Sequence, residues 1–451
     1  MIAPRPGLVG WATAIVLPLT ILATLLPAWR TLTVGAIALF VVVALLDLLW
    51  NWRKHRDLEF VVSDTVRTIA GRPFPISLRI SAAPSHSGVI RVALALPSSL
   101  SVTAADTALR LRSGESPPAI PLELRAETRG IFLISQLLFD WISPLGWWIY
   151  RERQAIRCQV RVYPDLTAEG RQLARFLKRN EVGIHHYRHL GRGREFEKLR
   201  EYEPGDGFDT IHWKATAKRR YPITKVYQTE KAQEVYVALD NSRLSGRLVA
   251  NEYGTSSGST GGQILALERT IASSLLFCAA AQSQGDLFGL LTFSDKIDHL
   301  VTARSGSAHF NRCRDVLAGL QTRLVSPDFG DIASTLMARI KRRALIVFLT
   351  SLDDPVLSEA FLSSMDFVAR RHLLLAIMLL SPSVRPLFTP PAVEKIDDVY
   401  QNIAGHLRWT HLTELRRQLH QRGIQLCLVS NQSVSLEMVT QYIALKRRQA
   451  L

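Results

Sequence analysis

Residues 194–220, REFEKLREYEPGDGFDTIHWKATAKRR, gather an acid, an imidazole and an amine within nine positions as Asp206, His212 and Lys214. A buried carboxylate beside such groups would shift a neighbour's pKa, which is the basis of general acid–base chemistry. An enzyme of unknown type using these three residues is one reading of the segment. Recognition is the other. Phe196, Leu199 and Tyr202 recur every three residues and predict one apolar edge of a short helix, with Glu195 and Glu197 ahead of Lys198 and Arg200. Pro204-Gly205-Asp206 then stops that helix, Gly205 supplying a positive φ and Asp206 capping the next turn or pairing with Arg200 or Lys214. Trp213 is expected to anchor this excursion on a neighbouring domain, and residues 218–220, KRR, leave a basic surface. A salt-bridged structural linker and a partner-binding site both satisfy the pattern.

Two further clusters bear on metals. Asp240-Asn241-Ser242 ends an apolar run, and a strand-terminal carboxylate followed by hydroxyls offers the hard oxygen ligands that suit magnesium. The same composition also makes ordinary turns and helix caps. His185, His186 and His189 include imidazoles at helical i, i+4 spacing, but no carboxylate or cysteine completes a ligand set and Gly183 and Gly191 bound the segment as a loop. Arg188, Arg192 and Arg194 beside it would suit anionic lipid or an acidic partner. The chain has no P-loop, no Gly-x-Ser-x-Gly, no His-Glu-x-x-His and no kinase-like set, so no recognised ATPase or hydrolase motif supports catalysis.

The elements that must position these residues begin with size and charge. At 451 residues two or three domains are expected. The formal charge is 55 − 39 = +16, which suits nucleic acid and the anionic inner face of a membrane alike. Cys158, Cys278, Cys313 and Cys427 lie far apart without zinc or redox spacing, as expected of free thiols in a reducing compartment.

Residues 8–28 carry no charge and are long enough to cross a hydrocarbon core of about 30 Å. A second apolar run, 31–50, holds only Asp47 and is followed at once by NWRKHR. The pair predicts a transmembrane hairpin rather than a cleaved signal peptide, because the first run is too long for an h-region and a second span follows. Arg53, Lys54 and Arg56 outnumber Arg30 in the connecting turn, so both termini are expected in the cytoplasm. Asp47 reads either as an intramembrane functional acid or, being near the interface, as a solvated end residue.

From residue 58 to about 162, short alternating runs such as FPISLRIS, VIRVALAL, IPLELRAE and IFLISQLLF are separated by Gly, Pro and Ser clusters, the pattern of a β-sandwich. The turn-rich WISPLGWW at 141–148 reads as a packed corner or a binding surface. A polar helix from Thr167 to about Lys178 leads into the motif. Beyond it EVYVALD, LFGLLTF, ALIVFLT, HLLLAIMLL and IQLCLVS alternate with helical segments, which predicts a parallel sheet covered on both faces. The Gly/Ser/Thr-rich residues 248–262 read as a mobile loop.

The chain resembles the family catalogued as domain of unknown function 58. That family's motif is matched by Phe196, Leu199, Arg200, Tyr202, Gly205, Asp206, Ile211, Trp213, Lys214, Thr216, Ala217 and Lys218, with weaker support from Arg129-Gly130, the Ser143-Pro144-Leu145-Gly146 turn, Val162-Tyr163-Pro164 and GDLFGLLTFSD at 285–295. The chain departs from it at Asp209, Thr210 and His212. The resemblance implies a membrane hairpin and a β-rich segment joined to an α/β von Willebrand factor A-like (Rossmann-type) domain. It also implies a divalent cation such as Mg²⁺ at an Asp-x-Ser-x-Ser motif, which Asp240 and Ser242 begin. Leu244 stands at the second serine, and Thr350-Ser351 stands where Thr-Asp is expected, with Asp353 and Asp354 two residues on. Such losses predict a weak site.

The expected organisation is a hairpin at 1–55, a β-sandwich-like domain at 56–165, the motif region and linker at 166–232, and the von Willebrand A-like domain at 233–451. The expected function is a scaffold or adaptor, tethered to a bacterial inner membrane with its soluble part in the cytoplasm. The resemblance implies a MoxR-type AAA+ ATPase as its partner, in protein assembly or chaperone-like maturation. Nucleic-acid binding through the basic surface is the remaining alternative, and no nucleic acid is expected as partner.

Overall fold

The computed structural model describes residues 2–26, 29–51, 59–81, 88–103, 108–111, 119–181, 190–203, 207–208, 211–228, 233–250, 263–381, 383–387, 396–431 and 434–447. It divides into a unit that ends at Asp165 and a second that begins at Leu166.

In the first unit a short strand, β1 (Ile2–Pro4), precedes two helices, α1 (Pro6–Leu25) and α2 (Arg30–Asn51). Both are long and apolar enough to cross a membrane, with mean hydropathies of 2.0 and 2.7. Their apolar side chains, such as Leu25, Leu32, Val34 and Leu39, face outward without protein cover. Among the described residues nine strands follow: β2 (Phe60–Val62), β3 (Thr65–Ile69), β4 (Pro73–Ile80), β5 (Gly88–Leu94), β6 (Leu100–Val102), β7 (Ala108–Leu111), β8 (Ile120–Ala126), β9 (Gly130–Ile142) and β10 (Trp148–Tyr163). One sheet runs β1-β10-β9-β5-β7, with β3 also on β10; the other runs β2-β4-β8-β6. In β4 and β8 burial alternates strictly, so every second side chain enters the core. Ile76, Leu78, Leu122 and Leu124 of one sheet thereby share a core with Ile90, Phe139, Trp141 and Val160 of the other.

The β9–β10 turn explains the WISPLGWW segment. Gly146 takes φ +72°, a left-handed conformation that favours glycine, and its N–H reaches Ser143 O at 2.8 Å. Ser143 Oγ accepts the N–H groups of Trp147 and Trp148, each at 3.1 Å. The three tryptophans form a packed corner, and it is packed against α2. Trp141 is buried, the Trp147 ring lies 5.4 Å from Phe40, and Trp148 Nε1 donates to Ala44 O at 3.0 Å. Tyr150 Oη donates to Leu48 O. Asp47 is therefore no solvated end residue. It is 6% exposed, and the Leu145 N–H points at its Oδ1 from 3.5 Å. Because β1 pairs with β10 at Trp148–Tyr150, both ends of the helical hairpin meet at this same corner.

The second unit opens with α3 (Thr167–Glu181), β11 (Leu190–Glu201), α4 (Trp213–Arg219) and β12 (Ile223–Gln228). The α/β layers follow, namely β13 (Glu234–Asp240), β14 (Leu248–Ala250), β15 (Gln263–Leu265), α5 (Ala266–Ser283), β16 (Leu287–Phe293), β17 (Ile297–Arg304), α6 (Ser307–Gly319), α7 (Phe329–Arg339), β18 (Ala344–Leu349), α8 (Pro355–Ala369), β19 (Leu373–Leu379), α9 (Ile396–Gln421), β20 (Ile424–Val429) and α10 (Val434–Arg447). The main sheet runs β17-β16-β13-β18-β19-β20, all parallel except the edge strand β17. Numbered from β13 this is 3-2-1-4-5-6, a doubly wound order whose switch point lies between β13 and β18. Alternate residues feed two cores. Val235, Val237 and Leu239 face α5 and α10, while Tyr236 and Ala238 face the side of α7 and α8. Gly289 of β16 is required by that packing, since a Cβ there would sit 2.3 Å from the Tyr236 ring.

The helix α3 belongs to this unit: Leu173 enters the α5/α10 core, and Glu169 accepts from Arg269 and, at 2.7 Å, from Ser435 Oγ. Residues 251–262 and His185, His186 and His189 lie outside the described residues. The four cysteines are free. Burial pushes the thiols of Cys313 and Cys427 up to about 12 and about 11, so they stay protonated at neutral pH.

At the amino end of the sheet, Asp286 is completely buried and accepts from Lys446 Nζ at 2.6 Å, from Tyr442 Oη and from Gln233 N at 3.1 Å. It ties α10 and the entry to β13 to one carboxylate. Asp286→Ala leaves the buried Tyr442 hydroxyl without its acceptor and the part-buried Lys446 ammonium without its carboxylate, and is expected to destabilise the protein by about 3 kcal/mol. A melting temperature equal to wild type in the detergent-solubilised chain would refute this.

Candidate functional site

Two places hold the side chains singled out by their chemistry. The first is the 194–220 motif, where the predicted helix is absent. Glu195, Phe196 and residues 198–201 are paired, in β11, with residues 223–228 of β12. A register shift between Phe196 and Lys198 adds one residue to that strand and lies within the first of the two three-residue intervals seen in the sequence. Pro204, Gly205, Asp206, Asp209 and Thr210 lie outside the described residues, as do the side chains of residues 191–198.

Ile211 and Ile223 are the buried residues of the excursion, joined by a bridge from Ile211 to the buried Thr224. Trp213 is not the anchor. It starts the seven-residue helix α4 and is 68% exposed, and Phe208 is 77% exposed, its ring 6.4 Å from Tyr202. Lys214, Lys218, Arg219 and Arg220 are exposed around it. Arg200 pairs with Glu203 at 3.0 Å. His212 caps α4, its Nδ1 accepting the Ala215 N–H at 3.0 Å, and Thr216 Oγ1 accepts from Ile223 N at 3.1 Å. An imidazole committed at Nδ1 to a backbone cap and a lysine in open solvent form no acid–base pair within the described part of the motif, which is a small β-ribbon carrying exposed aromatic and basic side chains.

The second place is the switch point at the carboxyl ends of β13 and β18. Asp240 is 2% exposed, with Oδ2 accepting from Thr350 Oγ1 at 2.5 Å and Oδ1 accepting from Ser242 N at 2.8 Å. Ser242 Oγ caps a 3-10 turn over Arg243–Gly246 by accepting from Leu244 N at 3.4 Å. Ser351 Oγ donates to Asp353 at 2.8 Å, and Asp354 caps α8. A cavity of about 20 Å³, lined among others by Asp240, Leu244, Arg247, Thr350 and Ser351, lies here; it has room for about one water. Burial drives the Asp240 carboxyl above the usual carboxylate range, against hydrogen bonds from Ser242 and Thr350 that pull the other way.

Mg²⁺ requires six oxygens in a tight octahedron. Here both oxygens of Asp240 are engaged by the chain, the second hydroxyl position is Leu244, Ser351 is turned to Asp353, and a guanidinium lines the same cavity. Among the described residues no group of three or more His, Cys, Asp or Glu side chains could hold a metal. The residues present do not fit a divalent cation. Beside them Asp298 accepts from Asn241 at 3.0 Å, Ser294 at 3.1 Å and Arg323 at 2.7 Å. Neither Arg247 nor Asp298 was signalled by spacing; the run ending in Ser294-Asp295 pointed only to the neighbourhood.

The raised pKa of Asp240 gives a pH test. Folding then favours the protonated acid, so this group's contribution is fully present below the unfolded pKa of about 3.9 and is lost as pH rises through the folded value. Asp240→Asn carries no such loss. Its melting temperature relative to wild type is expected to rise between pH 4 and pH 7, and a constant or falling difference would refute the assignment.

Residues 198–397 match the family described as "Protein of unknown function DUF58". No curated protein matches the chain. Among solved structures, the conserved hypothetical protein BatB from Bacteroides thetaiotaomicron is 12% identical, covering 47% of this chain and 98% of that one at a TM-score of 0.29. An aerotolerance-related membrane protein from Bacteroides fragilis is 14% identical over 47% and 98% of the two chains, TM-score 0.27. The SpRpn10 VWA domain is 12% identical over 44% and 89%, TM-score 0.25. Most of the motif and most of the sheet that follows it lie in residues 198–397, the stretch through which this chain matches the DUF58 family.

Proposed function

We propose that this protein is a membrane-tethered scaffold or adaptor whose von Willebrand A-like α/β unit engages a protein partner through the 194–220 motif. The observation that carries the reading is the exposure of Trp213 and Phe208 among Lys214, Lys218, Arg219 and Arg220. Large aromatics left in water beside cations are costly to keep on a surface unless something covers them, and aromatic residues dominate protein–protein hot spots. The basic setting suits an acidic partner surface. The family resemblance implies a MoxR-type AAA+ ATPase, in assembly or chaperone-like maturation.

The tether is the hairpin of α1 and α2, in a bacterial inner membrane. Both of its ends meet the same β9–β10 corner, which supports a shared side, and Arg53, Lys54 and Arg56 assign that side to the cytoplasm. A membrane-proximal β-sandwich then joins the tether to the α/β unit.

A pull-down of the detergent-solubilised chain, with and without ATP and read by mass spectrometry, tests the reading. Wild type is expected to recover a MoxR-type ATPase, and Trp213→Ala combined with Lys214→Glu to lower the recovery at least tenfold at unchanged melting temperature. Recovery of no AAA+ ATPase under either condition, or equal recovery by the variant, would reject it.

A further inference from the structure

Arg247 follows the 3-10 turn after β13, and its guanidinium reaches two other strand ends. It pairs with Asp353, in the loop after β18, at 2.8 Å, and donates to the carbonyl of Leu379 at the end of β19. The same Asp353 oxygen accepts from Ser351 Oγ at 2.8 Å. Arg247 also lines the cavity onto which Asp240 faces. One fixed positive charge therefore links the segments after β13 and β18, the two that an ion at the switch point would otherwise bridge, and also reaches the end of β19.

We propose that the Arg247 guanidinium takes the place of a divalent cation at the carboxyl end of the sheet, so that the strand-end loops are locked without metal. A guanidinium is permanently charged and presents several donors in a rigid plane, so it bridges a carboxylate and a carbonyl at any physiological pH. The exchange also explains the lost ligands. With a cation built into the chain, a second serine at position 244 and a carboxylate at position 351 have no ion to hold, and a doubly charged ion entering beside Arg247 would meet like charge at short range. The lock shields itself as well, since Arg247 is half-buried and its partner Asp353 takes a second donor from Ser351.

The test uses Mn²⁺ alone as the probe, followed by the loss of its free electron-paramagnetic-resonance signal on titration into the detergent-solubilised full chain. Wild type is expected to take up no stoichiometric Mn²⁺ up to about 1 mM, the weak end of protein cation sites, and to melt at the same temperature in EDTA as in MgCl₂. Arg247→Ala frees Asp353 and Ser351 as oxygen ligands and is expected to gain one Mn²⁺ per chain with at least tenfold higher affinity than wild type. Adding Leu244→Ser should strengthen it further. If Arg247→Ala does not fold, Arg247→Gln, which keeps hydrogen-bond donors without the charge, carries the same expectation. Saturable one-to-one uptake by wild type would overturn the proposal, and so would a folded Arg247 variant that takes up no Mn²⁺.

Discussion

A carboxylate buried at the switch point of a parallel sheet must find its compensation inside the chain, and Asp240 finds it in a hydroxyl and a backbone N–H. That requirement organises the carboxyl face of the α/β unit. Thr350 must stand opposite Asp240, which ties the end of β18 to the end of β13. Ser242 must turn its N–H back, which starts the 3-10 turn that delivers Arg247 towards Asp353. The ends of β13 and β18 are thus joined by the Thr350–Asp240 hydrogen bond, and the Arg247 guanidinium ties the first of them to Asp353 by an ion pair and to the Leu379 carbonyl of β19 by a hydrogen bond. The Asp240 contact lies in a low-dielectric setting, where an unmatched charge is heavily penalised.

The same logic governs the corner of the first unit. An acid in an apolar helix is expensive in hydrocarbon. Here Asp47 is withdrawn under the β9–β10 turn, whose Leu145 N–H faces it, while Trp148 and Tyr150 spend their polar ends on carbonyls of α2. Carbonyls already used within a helix retain a second lone pair, so these contacts add to the helix without opening it. The corner therefore holds the last turns of an apolar helix against a folded domain by groups that would otherwise be orphaned.

Much of this was legible beforehand. Strands β13, β16, β18, β19 and β20 announce themselves as continuous apolar runs because both faces of a parallel sheet are covered. The edge strand β17, IDHLVTAR, does not, since one side of it faces solvent and its pattern is that of a loop. In the motif the three-residue apolar spacing fits a helix on sequence alone, yet the segment is a strand with a β-bulge between Phe196 and Lys198, and a bulge leaves no mark in composition. The burial of Asp47 depends on a turn 98 residues away, and the role of Arg247 on partners 106 and 132 residues away. Spacing rules see only neighbours, so contacts of that range are invisible to them, while Asp240 and Ser242 could be picked out because the motif is local.

Where the chemistry of a site has been turned inward, recognition has to come from somewhere else on the surface. At the switch point the donors and acceptors of Asp240, Ser242, Ser351 and Asp353 already meet one another, and little remains there to meet a ligand. At the motif the reverse holds. The backbone is held by strand pairing and the cap of α4, Ile211 and Ile223 supply the buried footing, and Trp213, Lys214 and Lys218 are exposed. Exposed aromatic and basic side chains in a segment whose residue types are so closely specified fit the proposed contact with a partner. On the adaptor reading proposed above, the aromatic and basic face of that β-ribbon, rather than the strand ends, is the docking face.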